Sequence, residues 1–365
     1  MSDPPKLSMK ENSGTMNLAR GCRVNVIVTN RNGGSLVQNC LRSLFATKFS
    51  SFDVTVVDNA SSDGSPETIA AHFPAVSLIR LSNNLGYGAA NNIGIRTGTG
   101  EYAVLLNSDT EVEPEWLPNL VQVAEQTPDA AFFQPKILFL DERNVLNSAG
   151  NSIHIAGFGV CRGIGTLDSG QYDEIENIGY ASGACVMIRR SALHEVGLLD
   201  EIFFAYGEDK DWGWRAKMAG HRSVYVPTAR VYHRWSAVLG RSPMKMYYLE
   251  LERLVSIWKN YSIATIILLA PVLLIVEIAV LVHALTNRWL AHKILAYAQA
   301  LTLRGQIAGR RKELSLKRKI PDRNLIREFV FSLQHPYIGI LAGPLNKVCG
   351  FYRRLFLSHE MNCRR

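Results

Sequence analysis

Along the first 140 positions, apolar residues fall into short continuous runs separated by stretches of helical spacing. Residues 23–29 (RVNVIVT) form the first run, which breaks at Asn30, Arg31, Asn32, Gly33 and Gly34. Such a run closed by turn formers predicts a buried strand. Leu36, Val37, Cys40, Leu41, Leu44 and Phe45 then recur at the spacing of one helix face. A second strand is predicted over 52–57, ending in Asp58 and a small polar run ahead of Pro66 and Glu67. A third, over 76–81, leads to a helix start rich in small residues (Gly86, Gly88, Ala89, Ala90). The fourth, over 101–106, stops at Asn107, Ser108, Asp109 and Thr110, and Pro114 opens a helix reaching about residue 125. Residues 130–140 are a further strand. Buried strands alternating with helices predict an α/β fold, a Rossmann-like, doubly wound and mostly parallel sheet flanked by helices.

The pattern changes after residue 140. Residues 141–178 carry six glycines and little periodicity, which predicts loops and short strands facing a substrate. A buried strand is expected within 178–189, with Ser182, Gly183 and Ala184 marking a close approach. A short helix opens at Ser191 and ends at Gly197. Residues 201–215 place an aromatic cluster ahead of Glu208, Asp209 and Asp211, with Arg215, Lys217 and Arg222 available to balance them. Residues 223–227 predict one more strand, and His233 follows. Residues 244–261 look helical. Residues 263–285 are a 23-residue apolar run containing one acid, Glu277, and Pro271. That length suffices to cross a membrane.

Charge separates the chain into two parts. Residues 260–365 contain 16 Lys+Arg and 5 Asp+Glu, a net of +11, whereas residues 1–259 carry a net of −3. The first part suits a near-neutral enzyme domain and the second a basic surface seeking an anionic partner. Six scattered cysteines without a CxxC pair argue against zinc and against a disulfide framework, and fit a reducing cytoplasm. Residues before Val24 lack an apolar run, so no signal peptide is expected. The resulting division is a polar tail over 1–20, a catalytic domain over 21–240 with halves meeting near 140, and a helical basic region over 241–365.

Several residues are candidates for chemistry, each with a structural alternative. Asp109, at the carboxyl end of a strand, can hold a divalent cation or cap the helix that Pro114 begins. Asp58 can accept from a nucleoside or close a turn before the next helix. The helix start at Gly86 suits phosphate or tight packing on the sheet. Glu208, Asp209 and Asp211 can stabilise a helix dipole, or one of them, beside aromatic rings, can act as a general base. His233 is a metal-ligand candidate or a structural histidine. The dinucleotide fingerprint GxGxxG is absent after the first strand, which disfavours NAD and FAD.

Together these pieces resemble the inverting family 2 glycosyltransferases of GT-A fold, in particular the bacterial rhamnosyltransferase-like branch. The matching motifs are VIVTNRNGG (26–34), VVDNASSDGS (56–65), NNLGYGAANNIGI (83–95), LLNSDTEV (105–112), SGACVMIRR (182–190) and FFAYGEDKDWGWRAKMAG (203–220). The resemblance implies that Thr29 and Arg31 sit by the nucleotide base, Asp58 on base or ribose, and Asn84 and Ser108 near the ribose-diphosphate. It implies Asp109 as the metal-holding end of an Asp-x-Asp motif, with Mg²⁺ or Mn²⁺ as cofactor and His233 facing the metal or diphosphate. Asp209 becomes the catalytic base, with Glu208 beside it able to share the role. Asn107 replaces the first Asp of many members and supplies an oxygen without charge. The implied reaction moves a sugar from a nucleotide-diphosphate donor, dTDP-rhamnose or a related deoxyhexose, to a lipid-linked saccharide in cell-surface polysaccharide synthesis. The alternatives are a sugar-nucleotide nucleotidylyltransferase and a non-catalytic membrane-bound carbohydrate-binding scaffold.

For the basic region, the expected partner is an anionic membrane surface and not nucleic acid. Arg304, Arg310, Arg311, Lys312, Lys317, Arg318 and Lys319 follow the apolar run. A single crossing would place them outside the cell, against the positive-inside tendency. A peripheral or monotopic helical region on the cytoplasmic face keeps both sides inside. Trp289, Tyr297, Tyr337, Phe351 and Tyr352 suit the headgroup zone.

Overall fold

The computed structural model describes residues 22–234, 242–332 and 342–357; the tail over 1–20 and Tyr337 lie outside them. The amino-terminal half follows the expected alternation. It comprises β1 (Val24–Asn30), α1 (Gly34–Phe45), β2 (Phe52–Asp58), α2 (Ser65–His72), β3 (Ser77–Arg80), α3 (Tyr87–Thr97) and β4 (Tyr102–Asn107). A short β5 (Thr110–Val112) precedes α4 (Trp116–Gln126) and the long β6 (Ala130–Phe139). Next come β7 (Leu146–Ser148), β8 (Asn151–Ile153), β9 (Gly159–Cys161), β10 (Glu176–Ile178) and β11 (Cys185–Arg189). A 3-10 turn leads into α5 (Leu193–Val196), then α6 (Glu208–Met218) and β12 (Arg222–His233).

The main sheet has the order β10-β12-β6-β11-β4-β1-β2-β3. β3, β2, β1 and β4 are mutually parallel, and β11 runs antiparallel between β4 and β6. Alternate strand residues serve opposite faces. Val24, Val26, Val28, Val104 and Leu106 pack under α1, α2 and α4. Ile27, Val57, Ala103 and Leu105 pack under α3 and α6. The fold is therefore α/β with both sheet faces covered, as the continuous apolar strands predicted.

One strand departs from expectation. The strand predicted over 223–227 is the first half of the 12-residue β12, which continues to His233. Its pairing with β6 shifts between Val226 and Arg230. Pro227 lies in that gap, where its missing N–H costs no ladder hydrogen bond. Beyond the bulge the strand regains register and pairs Val231, Tyr232 and His233 with both β6 and β5.

The carboxy-terminal helices are α7 (Pro243–Asn260), α8 (Ile263–Thr286), α9 (Leu290–Thr302), α10 (Arg304–Lys317), α11 (Asp322–Glu328) and α12 (Ala342–Leu357). They share a core with the catalytic half: Trp214 and Met218 of α6 pack with Tyr261, Leu269, Val272, Val276, Leu325 and Phe329. The α6–α7 contact is also ionic. Lys259 of α7 is buried between Asp200 (2.6 Å) and Asp211 (2.8 Å), and Asn260 donates to Asp211 (3.0 Å). Burial alone would raise the Asp211 pKa, but Lys259 and Arg215 hold it well below the usual carboxylate range. Of the three cations expected to balance the acidic cluster, only Arg215 does so, at 2.8 Å from Asp211. Lys217 pairs with Glu328 and Arg222 with Asp129.

The expected headgroup aromatics are mostly inside. Trp289 is buried with its Nε1–H on His283, Tyr297 donates its hydroxyl to Glu277, and Tyr352 is buried. Phe351 is exposed. The basic cluster is partly committed to the fold as well. Arg311 donates to the carbonyl of Tyr261 (2.6 Å), Arg318 pairs with Asp322 (2.5 Å) and Lys319 with Glu195 (2.5 Å). Replacing Lys259 by Met removes the cation shared by two buried carboxylates, leaving Asp211 with Arg215 and Asp200 with the half-exposed Arg310 at 3.5 Å. We expect Lys259→Met to lower stability by about 3–5 kcal/mol, measured by denaturant unfolding of the purified protein.

Candidate active site

The carboxyl ends of β1, β2 and β4 lie side by side, with Thr29 opposite Asn107 and Val57, and Asn30 opposite Asp58. In a sheet of this type the crevice beyond those ends is the ligand side. Asp58 is buried there; Asn30 donates to its Oδ1 (2.8 Å) and the Ser61 N–H to its Oδ2 (3.1 Å). It does not cap α2. Gly64 holds that position, and Asp63 accepts from Ser65 and from the Gly34 N–H. Arg31 reaches across to the carbonyls of Asn59 and Ala60. Thr29 Oγ1 is buried and has no hydrogen-bond partner among the described residues.

Protein groups take the N–H donors of the chain entering α3. Leu85 N–H donates to Asn59 (2.8 Å), Gly86 N–H to Asn84 (3.0 Å) and Tyr87 N–H to the Phe204 carbonyl (3.0 Å). Three consecutive donors on the approach to α3 are thereby used, which favours packing for residues 85–87. Gly86 (φ +85) presses against the Phe204 carbonyl, where a Cβ has no room. Asn84 also accepts from Asn59, which ties the two donor-side loops together.

Asp109 lies in the turn between β4 and β5, not at a helix start. The cap position of α4 is Glu115, six residues on, so the capping alternative for Asp109 is excluded. Thr110 Oγ1 closes the turn onto the Asn107 carbonyl (2.7 Å), and Ser108 occupies its first position. The β5–β12 pairing puts His233 opposite Thr110, and Arg234 N–H donates to the Asp109 carbonyl (3.0 Å). His233 Nε2 stands 3.5 Å from Asp109 Oδ1, while its Nδ1 meets Asn147 Oδ1 at 3.1 Å. With the Nδ1 proton on Asn147, the Nε2 lone pair faces a carboxylate oxygen. Two acceptors turned toward one point suit a divalent cation, and the outer hydrogen bond fixes the ring for it. Among the described residues no cluster of three or more His, Cys, Asp or Glu could hold a metal. Asp109 and His233 would hold a cation here, and its remaining ligands would have to come from a bound substrate or water.

Asp209 sits in the first turn of α6, after Tyr206 (φ +65) and Gly207 (φ +79) swing the chain into the helix. Both residues are left-handed, and Tyr206 is strained in that conformation. Gly207 has no space for a Cβ because the Glu252 side chain of α7 packs on it. Asp209 Oδ2 accepts the Gly183 N–H (2.9 Å) and Oδ1 the Lys210 N–H (2.7 Å). Ala184, the next residue, accepts the Asn107 N–H (3.0 Å). The small residues at 182–184 thus admit Asp209 on one side and the end of β4 on the other. Tyr87 closes the group by donating its hydroxyl to the Gly183 carbonyl (2.5 Å).

Burial raises the pKa of Asp209 despite those two N–H donors. It pushes Glu208 further, to about 8, with Asp209 adding to the rise. Glu208 is buried, and its Oε2 has no hydrogen-bond partner among the described residues. Lys210 turns away to pair with Glu252 (2.7 Å), whose own pKa burial pushes up to about 7.

Sequence reasoning missed Asn147, Gln134 and the Tyr87 hydroxyl. A lone Asn in a glycine-rich loop carries no signal. Gln134 had one, since a polar residue inside the apolar run AAFFQPKILF needs a buried partner. It accepts the Ser182 N–H (2.8 Å) and donates to Ser148 Oγ (2.9 Å). Lys136, two residues on, is buried against Asp168 (2.9 Å) and Asp173 (2.5 Å) and pins the loop over 162–174.

The fold and the crevice define a GT-A glycosyltransferase. The family model described as Glycosyl transferase family 2 matches residues 25–197. N-acetylglucosaminyl-diphospho-decaprenol L-rhamnosyltransferase of Mycobacterium tuberculosis is 30% identical over 240 residues, covering 60% of this chain and 78% of the relative. O-antigen biosynthesis protein RfbC of Myxococcus xanthus is 30% identical over 227 residues, 59% of this chain and 17% of that one. In fold, the chain is similar to GalNAc-T7 solved with UDP, GalNAc and Mn²⁺, with a TM-score of 0.55, 16% identity, and 66% and 48% of the two chains covered. The chain belongs to glycosyltransferase family 2.

Glu208 supplies a test of the site's electrostatics. Its folded pKa lies above the ordinary 4.5, so between pH 4.5 and about 8 the folded state holds a proton that the unfolded state has lost. Stability therefore falls as pH rises through that window. We expect Glu208→Gln to raise the melting temperature at pH 8 and to lose that advantage near pH 5, read by thermal unfolding at both values.

Proposed function

We propose that the chain transfers a sugar, with inversion at the anomeric carbon, from a nucleotide-diphosphate donor to a hydroxyl of a lipid-linked saccharide. The observation that carries this reading is the bridge at Gly183–Ala184, which holds Asp209 on one side and the Asn107 end of β4 on the other. A half-buried carboxylate of raised pKa is thereby fixed beside the turn that bears Asp109. Asp209 is the general base: it takes the proton from the acceptor hydroxyl as that oxygen bonds to the anomeric carbon. The bond from that carbon to the diphosphate breaks, and the nucleoside diphosphate leaves from the opposite face. Glu208, with a pKa of about 8, keeps its proton at neutral pH and is a poor base there.

Thr29, Arg31, Asp58, Asn84 and Ser108 form the donor side in this reading, because they gather at the ends of β1, β2 and β4 and the loop before α3. Asp109 and His233 hold Mg²⁺ or Mn²⁺, supported by their converging acceptor atoms, and Asn107 is the neutral third candidate. When bound, the cation supplies positive charge to the departing diphosphate. Residues 21–140 then serve the donor, 141–240 the acceptor, and 241–365 the membrane. The name of the mycobacterial relative supports a deoxyhexose, rhamnose, as the sugar and a diphospho-lipid as the acceptor; dTDP-rhamnose is the donor this reading takes. In this reading the work is done at the cytoplasmic face of the inner membrane, and the name of the Myxococcus relative, an O-antigen biosynthesis protein, supports a place in cell-surface polysaccharide synthesis.

Asp209→Asn tests the base. We expect acceptor-dependent release of nucleoside diphosphate to fall at least about a hundredfold, with donor affinity by calorimetry kept within a few-fold. Full activity in that variant would overturn the assignment. His233→Gln tests the metal site: the Mn²⁺ concentration for half-maximal activity should rise about tenfold or more, as measured by titrating the metal-stripped enzyme.

A further inference from the structure

The helix α8 is long and apolar enough to cross a bilayer, yet it is fastened lengthwise to the protein. Thr265, Leu269, Val272, Val276, Val280 and Ala284 form a buried stripe from one end to the other. Midway along, Glu277 turns inward to Arg253 of α7 (2.6 Å) and Lys293 of α9 (2.5 Å). Arg253 and Lys293 also share the buried Glu250 of α7. To span a membrane, α8 would have to leave this stripe and strand a carboxylate in hydrocarbon.

Its other face is apolar over its whole length. Every exposed residue from Ile263 to Leu285 is Ala, Pro or a larger aliphatic. Ile267 (68%), Leu274 (63%), Ile278 (54%) and Leu285 (65%) are more than half exposed. On α9 the exposed positions up to Leu301 are Ala291, Ile294, Leu295 and Ala298, again with no polar residue. A two-helix apolar face of this extent is unusual for a surface in water. Its edges are cationic: Arg288 is exposed in the α8–α9 turn and Arg304 at the start of α10. On α12, which packs against α8, Lys347, Arg353 and Arg354 are exposed. Glu277, the single acid within residues 263–302, points inward.

We propose that the outer faces of α8 and α9 form a docking surface for an anionic lipid bilayer, with α8 lying along the membrane and not across it. Aliphatic side chains enter the acyl boundary while the flanking cations meet anionic headgroups. A second copy of the chain fits this surface less well, because the cationic edges of two copies would face each other. The proposal deepens the membrane-bound acceptor reading but does not need it to be tested, since binding to lipid is measured without donor or acceptor.

The test is co-sedimentation of the full chain with vesicles of phosphatidylcholine alone or mixed with phosphatidylglycerol. Stronger binding to the mixed vesicles is expected, with a drop of at least about tenfold in the variant Leu274→Glu/Ile278→Glu. Ile294→Glu/Leu295→Glu on α9 provides a second variant if the first melts below the unmodified protein. Alkaline carbonate should release the protein from membranes of an expressing host. Retention after carbonate would overturn the in-plane placement in favour of a spanning helix. Equal vesicle binding by well-folded variants of both kinds would overturn the docking surface. So would a dimer in size-exclusion chromatography that the substitutions dissociate while vesicle binding is absent.

Discussion

A carboxylate kept from water must find a cation, accept hydrogen bonds or keep its proton, and α6 places three carboxylates in its first turn. Each meets that demand differently. Asp211 takes Arg215 and Lys259 and stays ionised. Glu208, with one oxygen lacking any partner among the described residues, is driven toward the protonated form. Asp209, between them, accepts two backbone N–H groups and remains at the crevice. One turn of helix thus contains an anchor, a neutral neighbour and the residue proposed as base. One of the anchor's two cations, Lys259, comes from α7, so the placement of Asp209 is tied to a helix outside the α/β domain.

The opposite side of the crevice depends on a strand that outlasts its proline. Past the register shift around Pro227, β12 runs on to His233 and brings it to the β4–β5 turn. There His233 meets Asp109 across 124 residues of sequence through ordinary ladder pairing. The two sides are joined through Ala184, which pairs its carbonyl with Asn107, and Gly183, which holds Asp209.

The order of β1 to β4 and their helices was legible because buried parallel strands are continuous apolar runs and the helices between them are amphipathic. Asp109 and Asp209 were legible as acids at a strand end and a helix start. The full length of β12 was not, because Pro227 resembles a terminator until its partner strand is known. Nor was the division of labour among Glu208, Asp209 and Asp211, since Lys259 and Gly183 are distant in sequence. The partners of the chain entering the helix at Gly86 were not legible either, since Asn59 and Phe204, which accept from Leu85 and Tyr87, are distant in sequence. The apolar run over 263–285 is long enough to span, and Glu277 with the charges beyond it argued for a peripheral or monotopic region; the inward stripe and the partners of that acid come from the packing.

The route taken by Lys259 bears on how the enzyme can be made tractable in water. Cutting the chain after β12 would remove the apolar helices, and with them the cation between Asp200 and Asp211 and the core that covers Trp214. The shortened protein would trade an oily surface for an unsupported α6. Water solubility is better sought by recoding the outward positions of α8 and α9 with polar residues, leaving their inward stripe and Glu277 intact.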